Sequence, residues 1–165
     1  MTNDSIIKLF MENAAKVAAD PVRVSSTREM NAVLNKIVAK AGGVYVRKKT
    51  DIEKSIRIPK DRIVSDYFEA AFTVEQVDGA IAETGSVICS SFNGRAVQSS
   101  LLPSHHVAIV KSDTIYETMD EYFASLSESP PTNITFVTGP SRTADIELTL
   151  TTGVHGPEQV SIIIV

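Results

Sequence analysis

A carboxylate and a hydroxyl lie at a glycine turn between two short apolar runs, where Glu83, Thr84 and Gly85 separate residues 80–82 from residues 87–89. In open α/β sheets ligands bind beyond the ends of strands, so this position suits a general base, a nucleophile or a hydrogen-bond acceptor. The other interpretation is a tight turn in which Glu83 and Thr84 satisfy local backbone groups. The sequence leaves both open, with Glu83 as the candidate catalytic residue and Thr84 and Gly85 as candidate ligand-binding neighbours.

A second segment is dense in groups that can hold an anion: Gly139, Ser141, Arg142, Thr143, Asp145 and Glu147. Glycine permits a close approach of the backbone, the hydroxyls can donate hydrogen bonds, and Arg142 can grip a carboxylate or a phosphate with two parallel bonds. Asp145 would then orient the guanidinium. Alternatively, Arg142 pairs with Asp145 or Glu147 and braces the loop. The segment is therefore a candidate binding site for a small carboxylate or phosphate.

The histidines lie in or next to loops: His155 is in the glycine-containing segment 153–157, and His105 and His106 follow Pro103. Their spacing matches no ligand pattern such as H-E-x-x-H, so no metal site is expected, and His155 is placed at the edge of the anion site. Neither a G-x-x-x-x-G-K-S/T phosphate loop nor a G-x-G-x-x-G dinucleotide motif occurs. The sequence predicts no cofactor for this chain.

The charge balance argues against nucleic acid as a partner. The chain has 16 basic and 20 acidic side chains, a formal net charge of −4 at pH 7, which offers phosphate backbones no overall attraction. Basic residues at 47–49 and 57–62 alternate with acidic ones, which favours a solvated face. Cys89 is the one cysteine, so no internal disulfide is expected. No apolar run approaches the roughly 20 residues of a membrane span, and we expect a cytoplasmic protein.

Amphipathic helices are predicted at residues 6–17, 26–41 and 113–126, where apolar residues recur three and four positions apart. Short runs rich in β-branched residues lie between them, at residues 44–46, 63–64, 80–82, 87–89, 107–110, 134–137 and 160–165. These runs alternate little between apolar and polar residues, as in strands that are buried on both faces. The pattern predicts one α/β domain over residues 1–165, with a three-layer, mainly parallel sheet. Any helices within residues 48–71 are left undecided.

Four blocks of the sequence, at residues 80–86, 102–106, 139–147 and 153–157, resemble the lactate utilization protein C family, built on the LUD domain, in content, order and spacing. The block at 139–147 is the specific one. The resemblance implies a fold similar to the group of ribose-phosphate isomerase, CoA-transferase and 5-formyltetrahydrofolate cyclo-ligase. It also implies a role in the bacterial oxidation of L-lactate to pyruvate, beside an iron-sulfur subunit and a second partner subunit.

Three functions follow as hypotheses. The first is a non-redox component of a lactate-oxidising system that binds a small carboxylate, another anion or a partner subunit. The second is a free-standing acyl- or CoA-transfer or cyclo-ligase-like enzyme that uses Glu83, and the third is an adaptor without a small-molecule site. The first two predict that Glu83, Arg142 and Asp145 share one cleft at the strand ends, with His155 at its edge.

Overall fold

The computed structural model describes residues 1–40, 42–126, 130–144, 150–152 and 155–165. The strands, numbered in chain order, are β1 (Asp20–Arg23), β2 (Val44–Val46), β3 (Ile63–Val64), β4 (Phe72–Gln76), β5 (Gly79–Ile81), β6 (Ser86–Ser90), β7 (His105–Val110), β8 (Ile115–Tyr116), β9 (Ile134–Val137), β10 (Arg142–Ala144), β11 (Leu150–Thr152) and β12 (Gln159–Ile164). The α-helices are α1 (Asn3–Lys16), α2 (Thr27–Ile37), α3 (Asp51–Ser55), α4 (Gln98–Leu101) and α5 (Met119–Ser125). Single turns of 3-10 helix lie at Val38–Lys40, Lys60–Arg62, Tyr67–Glu69, Phe92–Gly94 and Ser112–Thr114.

The central sheet has six strands in the order β1-β12-β7-β4-β2-β3, and every neighbouring pair runs parallel. β7 is buried along its whole length, and β12 is buried except at Gln159. Such strands need cover on both faces of the sheet. The predicted α/β architecture with a mainly parallel sheet is confirmed.

Both faces of the central sheet are covered. On one face, Met30 and Leu34 of α2 pack against Val107, Ile109 and Ile163. On the other face, α1 and a second, smaller sheet pack against the apolar side chains of β7 and β12. These buried apolar contacts stabilise the fold and fix where α1 lies relative to the loops that follow the small sheet.

The small sheet has four strands in the order β8-β5-β6-β9. β6 is antiparallel to both β5 and β9, and β8 is parallel to β5. As a result β5, β8 and β9 run in the same direction, and the chain leaves all three at one edge of this sheet. The outer face is covered by Tyr122 of α5, which packs on Ile81 and Ile88.

The predicted helix at residues 113–126 is wrong in its first part. Ile115 and Tyr116 form β8, and α5 begins only at Met119, after the N-cap Thr118. The pattern of Thr followed three positions later by Glu occurs twice here, at 114 and at 118. The second copy caps the helix, with the Glu121 N–H donating to the Thr118 hydroxyl at 3.2 Å. Pairing of Ile115 with Ala80 places the first copy outside the helix.

Two strands of the central sheet were absent from the prediction. β1 contains Pro21, which lacks a backbone N–H but is tolerated because β1 is an edge strand. β4 contains a buried carboxylate, Glu75, which interrupts the apolar pattern. Residues 48–71, whose helices the sequence left undecided, contain α3, two turns of 3-10 helix and the predicted strand β3. Among the described residues, no helix has the length and apolar character needed to cross a membrane.

Candidate functional site

The turn that carries Glu83 is held against the C-terminal half of α1. The Asn13 side-chain amide donates to the backbone oxygens of Ala82 and Glu83 at 2.9 and 3.2 Å. Gly85 has φ of +68°, and a Cβ at this position would lie 2.3 Å from the backbone nitrogen of Ala14. Only glycine allows this approach in this conformation. The turn is therefore positioned by α1.

The loop after β9 reaches the end of the same helix. Gly139 has φ of +71°, and a Cβ there would lie 2.0 Å from the backbone oxygen of Val17. The Arg142 Nη2 donates to that same oxygen at 3.0 Å. The turn that carries Glu83 and the loop after β9 therefore both pack against α1.

A chain of three hydroxyls links the two loops directly. The hydroxyl oxygens of Thr84 and Ser86 are 2.7 Å apart, and those of Ser86 and Thr138 are also 2.7 Å apart. Ser86 is buried, so its hydroxyl needs such partners. The structure therefore brings Thr84 and Gly85 beside the start of the loop that contains Gly139.

A cavity of about 300 Å³ opens between this loop and the segment before β12; it is lined by Leu101, Phe136, Val137, Thr138, Gly139, Pro140, Ser141, Arg142, His155, Gly156 and Pro157. The Ser141 N–H donates to the Pro157 oxygen at 2.8 Å and joins the two walls. Ser141 is half-buried, and Arg142 and His155 are exposed. We call this cavity the motif pocket. It brings together four of the candidate residues, Gly139, Ser141, Arg142 and His155.

Glu83 does not line the motif pocket. Its Oε1 accepts a hydrogen bond of 2.7 Å from the backbone N–H of Met119, the first residue of α5. The loops that carry Glu83 and Arg142 leave the same edge of the small sheet, but the Glu83 carboxylate is directed to the helix start. Thr143 lies in β10, which pairs with β11, and Asp145 lies outside the described residues.

The motif pocket lies away from the point where the strand order of the central sheet reverses. Leu101 and Pro157, two of its lining residues, come shortly before β7 and β12. The pocket therefore lies near the amino ends of those strands. The loops that carry Glu83 and Arg142 do leave one edge of a sheet together, but it is the small sheet. The sequence did not show that the strands belong to two different sheets.

A buried polar network lies between the two sheets, and sequence reasoning missed it. The fully buried Glu75 carboxylate has Oε1 at 3.1 Å from His106 Nε2 and also accepts from the Ser100 hydroxyl. Arg95 donates through Nη1 to Asp78 Oδ2 at 2.8 Å. Burial raises the pKa of Glu75, but the hydrogen bonds and charges of His106, Arg95 and Ser100 outweigh it and hold that pKa below its ordinary value. The sequence signal for this network was the presence of two polar residues, Glu75 and His106, inside strands that are otherwise mostly apolar.

Three side chains of metal-ligating type meet in the same network. Glu75, Cys89 and His106 are fully buried, and each offers a ligand atom within 4.8 Å of the others. Burial raises the pKa of the Cys89 thiol to about 12, and Arg95 places a positive charge 3.7 Å from Glu75 Oε2. Both features favour a structural network over a cation site.

His105, from the block at residues 102–106, gives the stability a predicted pH dependence. Its ring packs on Phe72, and its Nε2 is 2.9 Å from the Ser161 hydroxyl. Burial, and then the neighbouring His106, lower the pKa of His105 below 6.5, while Asp20 opposes the shift. Below about pH 6.5 His105 therefore takes up a proton more readily in the unfolded chain than in the folded chain. The free energy of unfolding decreases as the pH falls.

Urea unfolding at about pH 7.5 and about pH 5.5 measures this dependence. We expect the urea concentration at the unfolding midpoint to be lower at about pH 5.5 than at about pH 7.5. The difference should be smaller in His105→Gln, which cannot take up the proton. Equal pH dependence in both proteins would assign it to another group.

Known proteins are similar to this chain in sequence and in fold. Lactate utilization protein C of Halalkalibacterium halodurans is 35% identical over 111 residues, 64% of this chain and 48% of that protein. Lactate utilization protein C of Exiguobacterium sp. is 24% identical in an alignment that covers 99% of this chain and 79% of that protein. The crystal structure of a DUF162 family protein from Deinococcus radiodurans has the same fold, with a TM-score of 0.74, 22% identity and coverage of 99% of this chain and 98% of that chain.

These relatives confirm the resemblance that the four sequence blocks carry. The LUD domain model matches residues 53–165, which include the motif pocket, the Glu83 turn and the buried network. The chain belongs to the LUD domain family.

Proposed function

We propose that this chain is a non-redox component of a bacterial system that oxidises L-lactate to pyruvate. In this role the motif pocket binds a small carboxylate, another small anion or an acidic group of a partner subunit. The observation that carries the proposal is the position of Arg142 in the wall of a cavity of about 300 Å³ beside Ser141 and His155. The names of the two bacterial relatives support the lactate pathway.

The pocket has the chemistry of an oxyanion site. Among the described residues, Arg142 is held by a hydrogen bond from Nη2 to the Val17 oxygen, and a guanidinium can donate several N–H groups. Ser141 adds a hydroxyl, and His155 adds an imidazole at the rim. A planar donor group fixed by the fold suits a carboxylate, because both oxygens can be bound at once.

The non-redox character rests on the cysteine content. Iron-sulfur clusters are held by several thiolates, and this chain has one cysteine. Cys89 is fully buried in the core between the two sheets. We therefore assign the electron-transferring centres to partner subunits, one of them an iron-sulfur protein.

The alternative of an acyl- or CoA-transfer or cyclo-ligase-like enzyme depends on Glu83. A nucleophile or general base must reach the ligand, whereas the Glu83 carboxylate accepts from the Met119 N–H at 2.7 Å and does not line the pocket. The hydrogen bond gives this side chain a structural partner. For this reason we favour the binding role.

Replacement of Arg142 by lysine tests the pocket. Lysine keeps the charge but loses the planar donor group, so we expect the affinity for L-lactate or pyruvate to fall about tenfold or more. The free energy of unfolding should change by less than about 1 kcal/mol, because Arg142 is exposed. Calorimetric titration measures the affinity, and urea unfolding measures the stability. Arg28→Lys, at an exposed position of α2, is the matched control.

Two results would contradict this assignment. If Arg142→Lys binds both carboxylates as the unaltered chain does, the pocket is not their site. If the change mainly lowers stability, Arg142 is a brace between the loop and α1.

The partner part of the proposal is tested separately. A tagged form of the chain, purified from the native host grown on L-lactate, should retain an iron-sulfur protein that mass spectrometry identifies. Purification of the chain alone under these conditions would count against a stable complex.

A further inference from the structure

A second crevice lies at the carboxyl edge of the central sheet. From β2 the chain passes outward to β3, whereas from β4 it proceeds to β7 and β12 on the other side. The strand order therefore reverses between β2 and β4. In open parallel sheets the loops separate at this point and leave a crevice beyond the carboxyl ends of the strands, where ligands bind.

The structure has a crevice of about 310 Å³ at this place, which we call the switch-point crevice. It is lined by Lys49, Thr50, Asp51, Ile52, Gln76 and Lys111. Lys49 and Thr50 follow β2, Gln76 ends β4, and Lys111 follows β7. Three neighbouring strands thus contribute to one concavity, large enough for a small metabolite.

The backbone of three lining residues is held by the fully buried Glu53. Its Oε2 accepts from the backbone N–H groups of Lys49 and Thr50 at 2.7 and 3.0 Å. Its Oε1 accepts from the Gln76 N–H at 2.9 Å and from the Arg47 Nε at 3.0 Å. One carboxylate therefore ties the loop after β2 to the end of β4, and the walls are held in place before any ligand arrives.

The side chains that line the crevice give it positive charge. Lys49 and Lys111 are exposed at its rim, and neither ammonium group hydrogen-bonds to any described residue. Asp51 is the acidic residue among the lining residues, and its Oδ1 is already 3.2 Å from Lys54 Nζ. Of the basic residues at 47–49, which the sequence suggested to be a solvated face, Arg47 forms a buried ion pair with Glu53 and Lys49 lies at this rim.

We propose that the switch-point crevice is a binding site for a small oxyanion, the carboxylate or phosphate group of a metabolite, held between Lys49 and Lys111. The site is separate from the motif pocket, which lies near the amino ends of β7 and β12. Two like charges beside a concavity attract an anion and lose their mutual repulsion when it binds. The Gln76 side chain, half-buried at the end of β4, supplies polar contacts beside them.

The test is a titration of the isotopically labelled full chain with sodium phosphate and, separately, sodium L-lactate, followed by amide chemical shifts at constant ionic strength. We expect saturating shifts at Lys49, Thr50, Gln76 and Lys111. The double change Lys49→Gln and Lys111→Gln should weaken this binding about tenfold or more. Lys36→Gln, at an exposed position of α2, should leave it unchanged. Tighter binding of phosphate assigns a phosphorylated ligand, and tighter binding of lactate assigns a carboxylic acid.

The same experiment separates this site from the motif pocket, because Arg142→Lys should not affect shifts in the switch-point crevice. Shifts confined to Ser141, Arg142 and Gly156 would overturn this inference and leave the motif pocket intact. Absence of shifts for both anions up to about 10 mM would overturn it too, as would binding that the double change leaves unaltered. Thermal unfolding of the double variant should match that of the unaltered chain, since both lysines are exposed.

Discussion

Replacing Arg95 by methionine is expected to lower the free energy of unfolding by about 3–5 kcal/mol, because it removes the cationic partner of the fully buried Glu75 and the partly buried Asp78. The Arg95 side chain is 2% exposed and its Nε lies 3.7 Å from Glu75 Oε2. Its Nη1 and Nη2 donate to Asp78 Oδ2 at 2.8 Å and to the Gln76 oxygen at 2.6 Å. Methionine is flexible and fills much of the space, so the lost charge and hydrogen bonds dominate the effect. Urea unfolding measures it.

Arg23→Met is the matched control. Arg23 Nη1 pairs with Asp4 Oδ1 at 2.9 Å, but the two side chains are 51% and 80% exposed. Water solvates both partners, so the expected loss is less than about 1 kcal/mol. Similar losses in the two variants would mean that the buried network contributes little to stability.

Replacing Gly139 by alanine is expected to lower the free energy of unfolding by about 3 kcal/mol or more, through overpacking and a left-handed backbone. The added Cβ would lie 2.0 Å from the Val17 oxygen, which is backbone and cannot rotate away. The loop must then move from α1, and the Arg142 bond to the same oxygen is disturbed. Anion binding in the motif pocket should weaken together with stability.

Gly94→Ala isolates the backbone contribution. Gly94 has φ of +68°, close to that of Gly139, but apart from its chain neighbours no atom in the described part of the chain lies within 4 Å of its added Cβ. Only the left-handed conformation is penalised, at about 1–2 kcal/mol. If Gly139→Ala lowers the free energy of unfolding no more than Gly94→Ala does, the space between the loop and α1 can accommodate a Cβ, and the overpacking argument is wrong.

The central sheet could be predicted because its buried strands are short runs of β-branched residues. β4 could not, because Glu75 breaks its pattern, and one of the groups that accommodate Glu75 is His106, 31 residues further along the chain. A pairing over that separation leaves no local signal. β1 was hidden by Pro21, whose tolerance depends on the edge position of the strand.

The candidate site was predictable to the extent that its residues are adjacent in sequence. Gly139, Ser141 and Arg142 lie in one block, and the structure places them with His155 in one cavity. The role of Glu83 depends on where α5 begins, since its carboxylate accepts from the first N–H of that helix. Because the helix start was predicted at residue 113 or 114 rather than at Met119, this structural role could not be foreseen.

The most direct test of the proposed function is growth of a strain of the native host from which the gene has been deleted. With L-lactate as the sole carbon source, the deletion strain should fail to grow, while growth on glucose remains normal. A copy encoding the unaltered chain should restore growth on L-lactate, and a copy encoding Arg142→Lys should restore it less. Normal growth of the deletion strain on L-lactate would contradict the proposed role.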